Sequence, residues 1–205
     1  MRAAIKSFAY TRNERLAIIA ALRTEKPWKD ASVTDIKRKI KDYHLKINSD
    51  VCCYCQRDLK GEFQMVIDVE HILPSSLFKR FTFKIWNTSA SCKRCNMNIK
   101  NDNIDFIDYA QTNKLSKEYY KIAHPNFEDI YSHLEINIIR KGQKRLVKYE
   151  IHTNDKGKYT YDYFKLKNIE INSFDDAQGI EQKEIDELIA NKVNELSEQH
   201  EPRVE

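Results

Sequence analysis

Apolar and polar positions alternate with two different periods along the chain, and the periods divide it into regions. Near the start, Thr11-Arg12-Asn13-Glu14 is a capping box, in which a hydroxyl and a carboxylate serve the free amides of a first turn. Leu16, Ile19 and Ala20 follow at helical spacing, and Pro27 lies just beyond, so a helix is predicted from about 12 to 24. Ser32-Val33-Thr34-Asp35 reads as a second helix start. Ile36, Ile40, Tyr43 and Ile47 then share one face, while Lys37, Arg38, Lys39 and Lys41 fall mostly on the others. That basic surface is either a phosphate-facing one or an ordinary solvated face. Phe63 to Pro74 reads as a strand running into a tight turn. A helix is predicted from Asp105 to about Tyr120. Leu134–Ile138 and Val147–Ile151 alternate with the period of half-buried strands, and Tyr159–Tyr163 alternates again after the turn signal Asn154-Asp155-Lys156-Gly157. These segments predict an antiparallel hairpin or three-stranded meander. From Asp175 onward, Ile185, Leu188, Ile189, Val193 and Leu196 form one helical stripe, which either packs on its own domain or docks on a partner.

Composition narrows the class. In 205 residues, 41% are hydrophobic and 32% charged, with only four Gly and four Pro. This is a globular balance without long flexible linkers. No apolar run approaches the roughly 18 residues of a membrane span, and the first residues lack the apolar core of a secretory signal, so the expected location is cytoplasmic. The net charge of +4 is unevenly spread. Residues 1–173 carry 32 Lys/Arg against 21 Asp/Glu, whereas residues 174–205 carry 3 against 10. A basic body with an acidic tail suits a polyanionic partner.

The cysteines sharpen the picture. Four of the five form two Cys-x-x-Cys pairs, Cys52/Cys55 and Cys92/Cys95. Two such turns complete a tetrahedral four-thiolate site, the closed geometry of structural zinc. Cys53 is read as a small buried side chain. The pairs are 37 positions apart, Cys55 to Cys92, which is too long for a simple zinc ribbon. The intervening segment carries Glu70-His71-Ile72, Pro74 and Trp86-Asn87, and Asn96 and Lys100 follow the second pair. A histidine that titrates near neutrality can act as a general base.

In this order the elements resemble the HNH (ββα-metal, His-Me finger) endonuclease superfamily, over about 50 residues. The resemblance implies His71 as the base that activates water. It implies Glu70 and Asn96 as ligands of a catalytic divalent cation, Mg²⁺ or Mn²⁺, with Asp68 as a fallback two residues back on the strand. It further implies that Asn87 braces the loop carrying the histidine and that Lys100 meets phosphate; Lys93, Arg94, Asn98 and Asn101, beside the second cysteine pair, are further candidates to reach backbone phosphates. Many members carry Asp where this chain has Glu70.

His124-Pro125 and His133-Leu134 also look like one branch of that superfamily, which includes PtuB-like nucleases of Septu-type anti-phage systems, among them retron-linked versions. That resemblance implies an SMC/ABC-type (PtuA-like) ATPase partner and a nucleic-acid substrate, double-stranded DNA before RNA. His124 and His133 themselves are read as structural. Two other readings stay open: a non-catalytic zinc-organised nucleic-acid-binding module, and a homing or restriction-type nuclease. The expected fold is α+β: an N-terminal helical region (1–50), a zinc-knotted ββα core (51–110), a helix with antiparallel strands (111–173) and an acidic C-terminal helix or tail (174–205).

Overall fold

The computed structural model describes residues 8–152, 155–173 and 191–192, and the predicted apolar stripe of the tail lies outside them. The chain is mixed α+β. It divides into two compact units, residues 1–136 with 149–168, and residues 137–148 with 169–205.

In the first unit, helix α1 (Arg12–Arg23) begins on the predicted capping box, with Glu14 N donating to Thr11 Oγ1 at 3.2 Å and Thr11 N donating to Glu14 Oε2 at 2.7 Å. Its inward face is Ile18 and Ala21, so the Leu16–Ile19 face is the outer one, with those residues 57% and 51% exposed. Helix α2 (Thr34–Ile47) follows a short 3₁₀ turn whose cap is Asp30, which accepts from Ser32 N at 2.9 Å. The start signal therefore sits earlier than Ser32. The buried face of α2 is Ile36, Ile40 and His44. These two helices, Val33 and Phe83 form an apolar core, on which Trp28, Val69 and Ile85 also pack.

Strand β1 (Ile67–His71) pairs antiparallel with β2 (Thr88–Cys92), from Ile67 opposite Cys92 to His71 opposite Thr88. Every residue of β2 is buried. The chain then winds into a π-helix, Arg94–Lys100, so two strands and a helix follow one another with the second cysteine pair at their junction.

Two predicted elements are corrected. Residues 105–120 form a closed loop rather than a helix: Ile107 bridges Tyr120, and Lys121 N donates to the Phe106 carbonyl at 2.7 Å. Asp108 and Asn113 accept from the backbone amides of Ala110 and Leu115, offering the chain turns in competition with helix. Residues 155–163 form helix α3 (Asp155–Tyr163) rather than a strand. The Tyr159–Tyr163 pair that suggested alternation stands one helical turn apart and stacks at 6.0 Å, and Lys158 pairs with Asp162 at the same step.

Strands β3 (Leu134–Lys141) and β4 (Lys144–Ile151) match the predicted hairpin, and β5 (Ile171–Asn172) adds to β4 in a three-stranded sheet of order β3-β4-β5. In the second unit, Arg145 and Ser173 exchange backbone and side-chain hydrogen bonds that hold this edge.

Candidate metal centre and catalytic cleft

Cys52, Cys55, Cys92 and Cys95 are all buried, and their sulfurs lie within 4.8 Å of one another. Tetrahedral zinc with Zn–S bonds of about 2.3 Å sets its sulfurs roughly 3.8 Å apart. Cys55 Sγ and Cys92 Sγ are 3.8 Å apart, and none of the five cysteines is bridged. The four can hold a structural metal ion such as zinc. The backbone is built for it. Cys52 N donates to the Arg57 carbonyl and Gln56 N to the Cys52 carbonyl, closing a tight knuckle with Gln56 at φ +56°. Cys92 N donates to Cys52 Sγ at 3.4 Å, and Cys53 N ties the knuckle to the Ala90 carbonyl of β2. Burial opposes ionisation of Cys52, yet its neighbouring cysteines draw its thiol well below the usual range. Cys53 stays outside the cluster, and burial pushes its thiol up.

His71 closes β1 at the edge of a cleft of about 700 Å³, whose walls include Trp28, Asp68, Ser75, Lys79 and Asn96. Its Nε2 lies 2.9 Å from the Thr82 carbonyl. A carbonyl only accepts, so Nε2 carries the proton and Nδ1 keeps its lone pair. Burial holds the ring down to about pKa 4, with Thr82 pulling up and Lys100 pushing further down. The ring is thus neutral at pH 7. Trp28 meets it edge-on, with centroids 4.5 Å apart.

Asn87 clamps the loop after His71. Its Oδ1 accepts from Leu73 N at 2.8 Å, and its Nδ2 donates to the carbonyls of Leu73 at 3.0 Å and Phe81 at 3.3 Å. Asn126 secures the other end of this loop by donating to the carbonyls of Ile85, Trp86 and Thr88.

Comparison with protein-family models, with curated proteins and with solved structures returns no match. What the cleft can do follows from its own atoms.

Glu70 and Asn96, expected together as cation ligands, have different immediate partners. Glu70 is fully buried, with Oε1 2.8 Å from Lys100 Nζ and 3.1 Å from Tyr54 Oη. Burial pushes its carboxyl above the usual range, against the pull of Lys100 and Tyr54. Its Oε2 is buried without a hydrogen-bond partner. Asn96 Nδ2 instead donates to Asp68 Oδ2 at 3.1 Å. Lys100, expected at phosphate, is 1% exposed and also donates to the His71 carbonyl at 2.8 Å. Lys93 reaches toward Asp68 at 3.7 Å, and Arg94 donates to the Lys165 carbonyl at 2.8 Å.

A chain of contacts thereby joins the cysteine knot to the histidine. Tyr54, inside the first knuckle, stacks on Phe164 at 4.1 Å and donates to Glu70; Glu70 pairs with Lys100; Lys100 holds the carbonyl of His71. Tyr54, Thr82, Trp28 and Asn126 all escape the sequence reading. Their roles depend on long-range contacts, and only the position of Tyr54 between Cys53 and Cys55 gave any signal.

His124 and His133, read from the sequence as structural, both have partners within the fold. His124 is buried, stacks on Phe127 at 3.9 Å and accepts from Asn126 N; His133 Nε2 meets Glu128 Oε2 at 2.9 Å.

Proposed function

We propose that this chain is a metal-dependent endonuclease of the HNH kind, cutting phosphodiester bonds in nucleic acid, with DNA as the substrate to test first. The observation that carries the reading is a neutral His71 fixed as its Nε2–H tautomer, lining an open cleft beside a two-strand-and-helix unit pinned by four cysteines. Nδ1 takes a proton from the attacking water as its oxygen bonds to phosphorus. The bond to the 3′ oxygen breaks, and that oxygen takes its proton from solvent. Oxygen donors that suit a hard cation are present: the orphaned Glu70 Oε2, the Asp68 carboxylate and the side-chain carbonyl of Asn96. When bound, the cation neutralises charge on the phosphate and the leaving oxygen. Asn87 keeps the histidine loop in place, and Lys100 holds the strand end from behind.

The test is plasmid nicking by zinc-loaded protein, wild type beside His71→Ala, in Mg²⁺, Mn²⁺ or EDTA. Cutting should need the divalent cation and fall by about 10²–10⁴ in the variant. Equal cutting by His71→Ala rejects the assignment of the base. Tight DNA binding with no cutting in any metal favours a non-catalytic binding module instead. Mn²⁺ binding followed by electron paramagnetic resonance, without substrate, should weaken in both Asp68→Asn and Glu70→Gln.

A further inference from the structure

The catalytic cleft is not the only depression against β1. A second groove of about 520 Å³ lies between α2 and the same strand, lined by Lys37, Arg38 and Lys41 on one side and by Ile67 and Val69 on the other. The two depressions share Trp28, Asp68 and Val69 as lining residues, so they meet along β1. We infer that this α2–β1 groove is the track along which a nucleic-acid strand reaches His71, with Lys37, Arg38 and Lys41 as its phosphate contacts. The inference rests on the nuclease reading above and adds to it where the substrate lies.

Four of the five Lys and Arg residues of α2 lie in its first two turns, and the fold places them differently. Lys39 turns to α1, bonded to Glu14 at 2.7 Å and to the Ala9 carbonyl at 3.0 Å. Lys37, Arg38 and Lys41 line the groove, where Lys37 Nζ also donates to the Trp28 carbonyl at 3.2 Å and Arg38 pairs with Asp35 at 3.4 Å. From 37 to 41 the helix rises by about 6 Å, close to two nucleotide steps of roughly 3.4 Å along one strand. Two carboxylates, Asp42 and Asp68, face the same groove. Asp68 stands where the cleft and groove join, with Lys93 Nζ 3.7 Å from its carboxylate offsetting part of its charge. Trp28, half-buried at the junction and approached by Lys37 Nζ at 5.9 Å from its ring centroid, supplies the aromatic surface on which a base can stack. A positive channel floored by apolar residues, with an indole at its mouth and a general base beyond, suits a polyphosphate backbone with bases better than an acidic peptide.

The experiment measures binding of a fluorescent DNA oligonucleotide to the zinc-loaded full chain carrying His71→Ala, which removes cleavage, over a series of salt concentrations. Into this background go Lys37→Ala, Arg38→Ala and Lys41→Ala together. A control carries Lys60→Ala, Lys117→Ala and Lys158→Ala, three exposed lysines that line neither depression. The groove variant should lose at least tenfold in affinity at low salt, and its log K against log salt slope should flatten by about 2, the share of three phosphate contacts. The control should match the parent. A groove variant that keeps the parent's slope and affinity overturns the inference and leaves the nuclease reading intact. Absence of salt-dependent DNA binding by the parent overturns both. Displacement of the DNA by a polyglutamate peptide as readily as by unlabelled DNA also overturns the inference, assigning the groove to acidic protein.

Discussion

Glu70 and Lys100 carry opposite charges with 0% and 1% of their side chains exposed. Each ion costs several kcal/mol to desolvate, so the pair persists only because its contacts are good. The 2.8 Å ion pair, the Tyr54 hydroxyl and the His71 and Asn101 carbonyls supply them. Removing one partner should therefore cost more than removing both. Lys100→Met should lower stability in urea by about 3–5 kcal/mol, and adding Glu70→Leu should restore most of it. Nicking should stay impaired in the double variant, because Lys100 no longer holds the His71 carbonyl. Full recovery of activity would mean that Lys100 does not position the histidine. The sequence showed the residue types at this centre but not their partners. Glu70 and Lys100 meet each other across a strand and a helix, and a linear motif cannot say which groups face one another that way.

The cysteine knuckles that could hold a metal also hold β2. Cys53 N reaches Ala90, Cys92 N reaches Cys52 Sγ, and the strand between is buried throughout. Four-cysteine zinc sites contribute apparent folding free energies of about 10–16 kcal/mol in small domains. Chelating the metal should expose the amides of residues 88–92 to hydrogen exchange and abolish nicking, while α1, capped by its own residues, exchanges less differently. Unchanged protection of Ala90 and Cys92 after metal loss would show that the strand stands without the knot. At this scale the sequence is legible where one local signal dominates: the Thr11 capping box, the paired cysteines and the alternation of β3 and β4. It misleads where two patterns coincide, as in α3, whose tyrosines fit both periods. It also misleads in residues 105–120, where Asp and Asn side chains take the backbone amides.

Two fully buried histidines tie the whole molecule to pH. Burial holds His44 down to about pKa 3 and His124 well below its ordinary value. Both are neutral in the fold and free to protonate near 6.5 once unfolded. Below that pH the unfolded chain binds more protons, so stability is complete above about 6.5 and is lost as pH falls toward their folded values. Each contributes a slope of up to roughly 1.4 kcal/mol per pH unit within that window. Glu70, raised by burial, acts in the opposite sense as pH rises through its folded value, so the two effects oppose each other just above the ordinary carboxylate range. The urea midpoint should fall between pH 6.5 and 5, and His44→Gln should flatten that fall by about one proton. An unchanged slope would mean that His44 protonates as readily in the fold as out of it.

The π-helix Arg94–Lys100 closes its hydrogen bonds over one residue more than an α-helix would, with Asn101 N bonded back to the Asn96 carbonyl at 2.6 Å. A lineage that shed a single residue there would relax to ordinary winding and keep both cysteine pairs. It would also swing Lys100 by about 100° away from Glu70. Descendants of such an event would keep the four cysteines together, yet lose the contact behind His71. If Lys100 positions His71 as proposed, the length of this stretch should matter more to activity than the identity of Met97, Asn98 and Ile99, and deleting one of the three should leave a folded but inert protein.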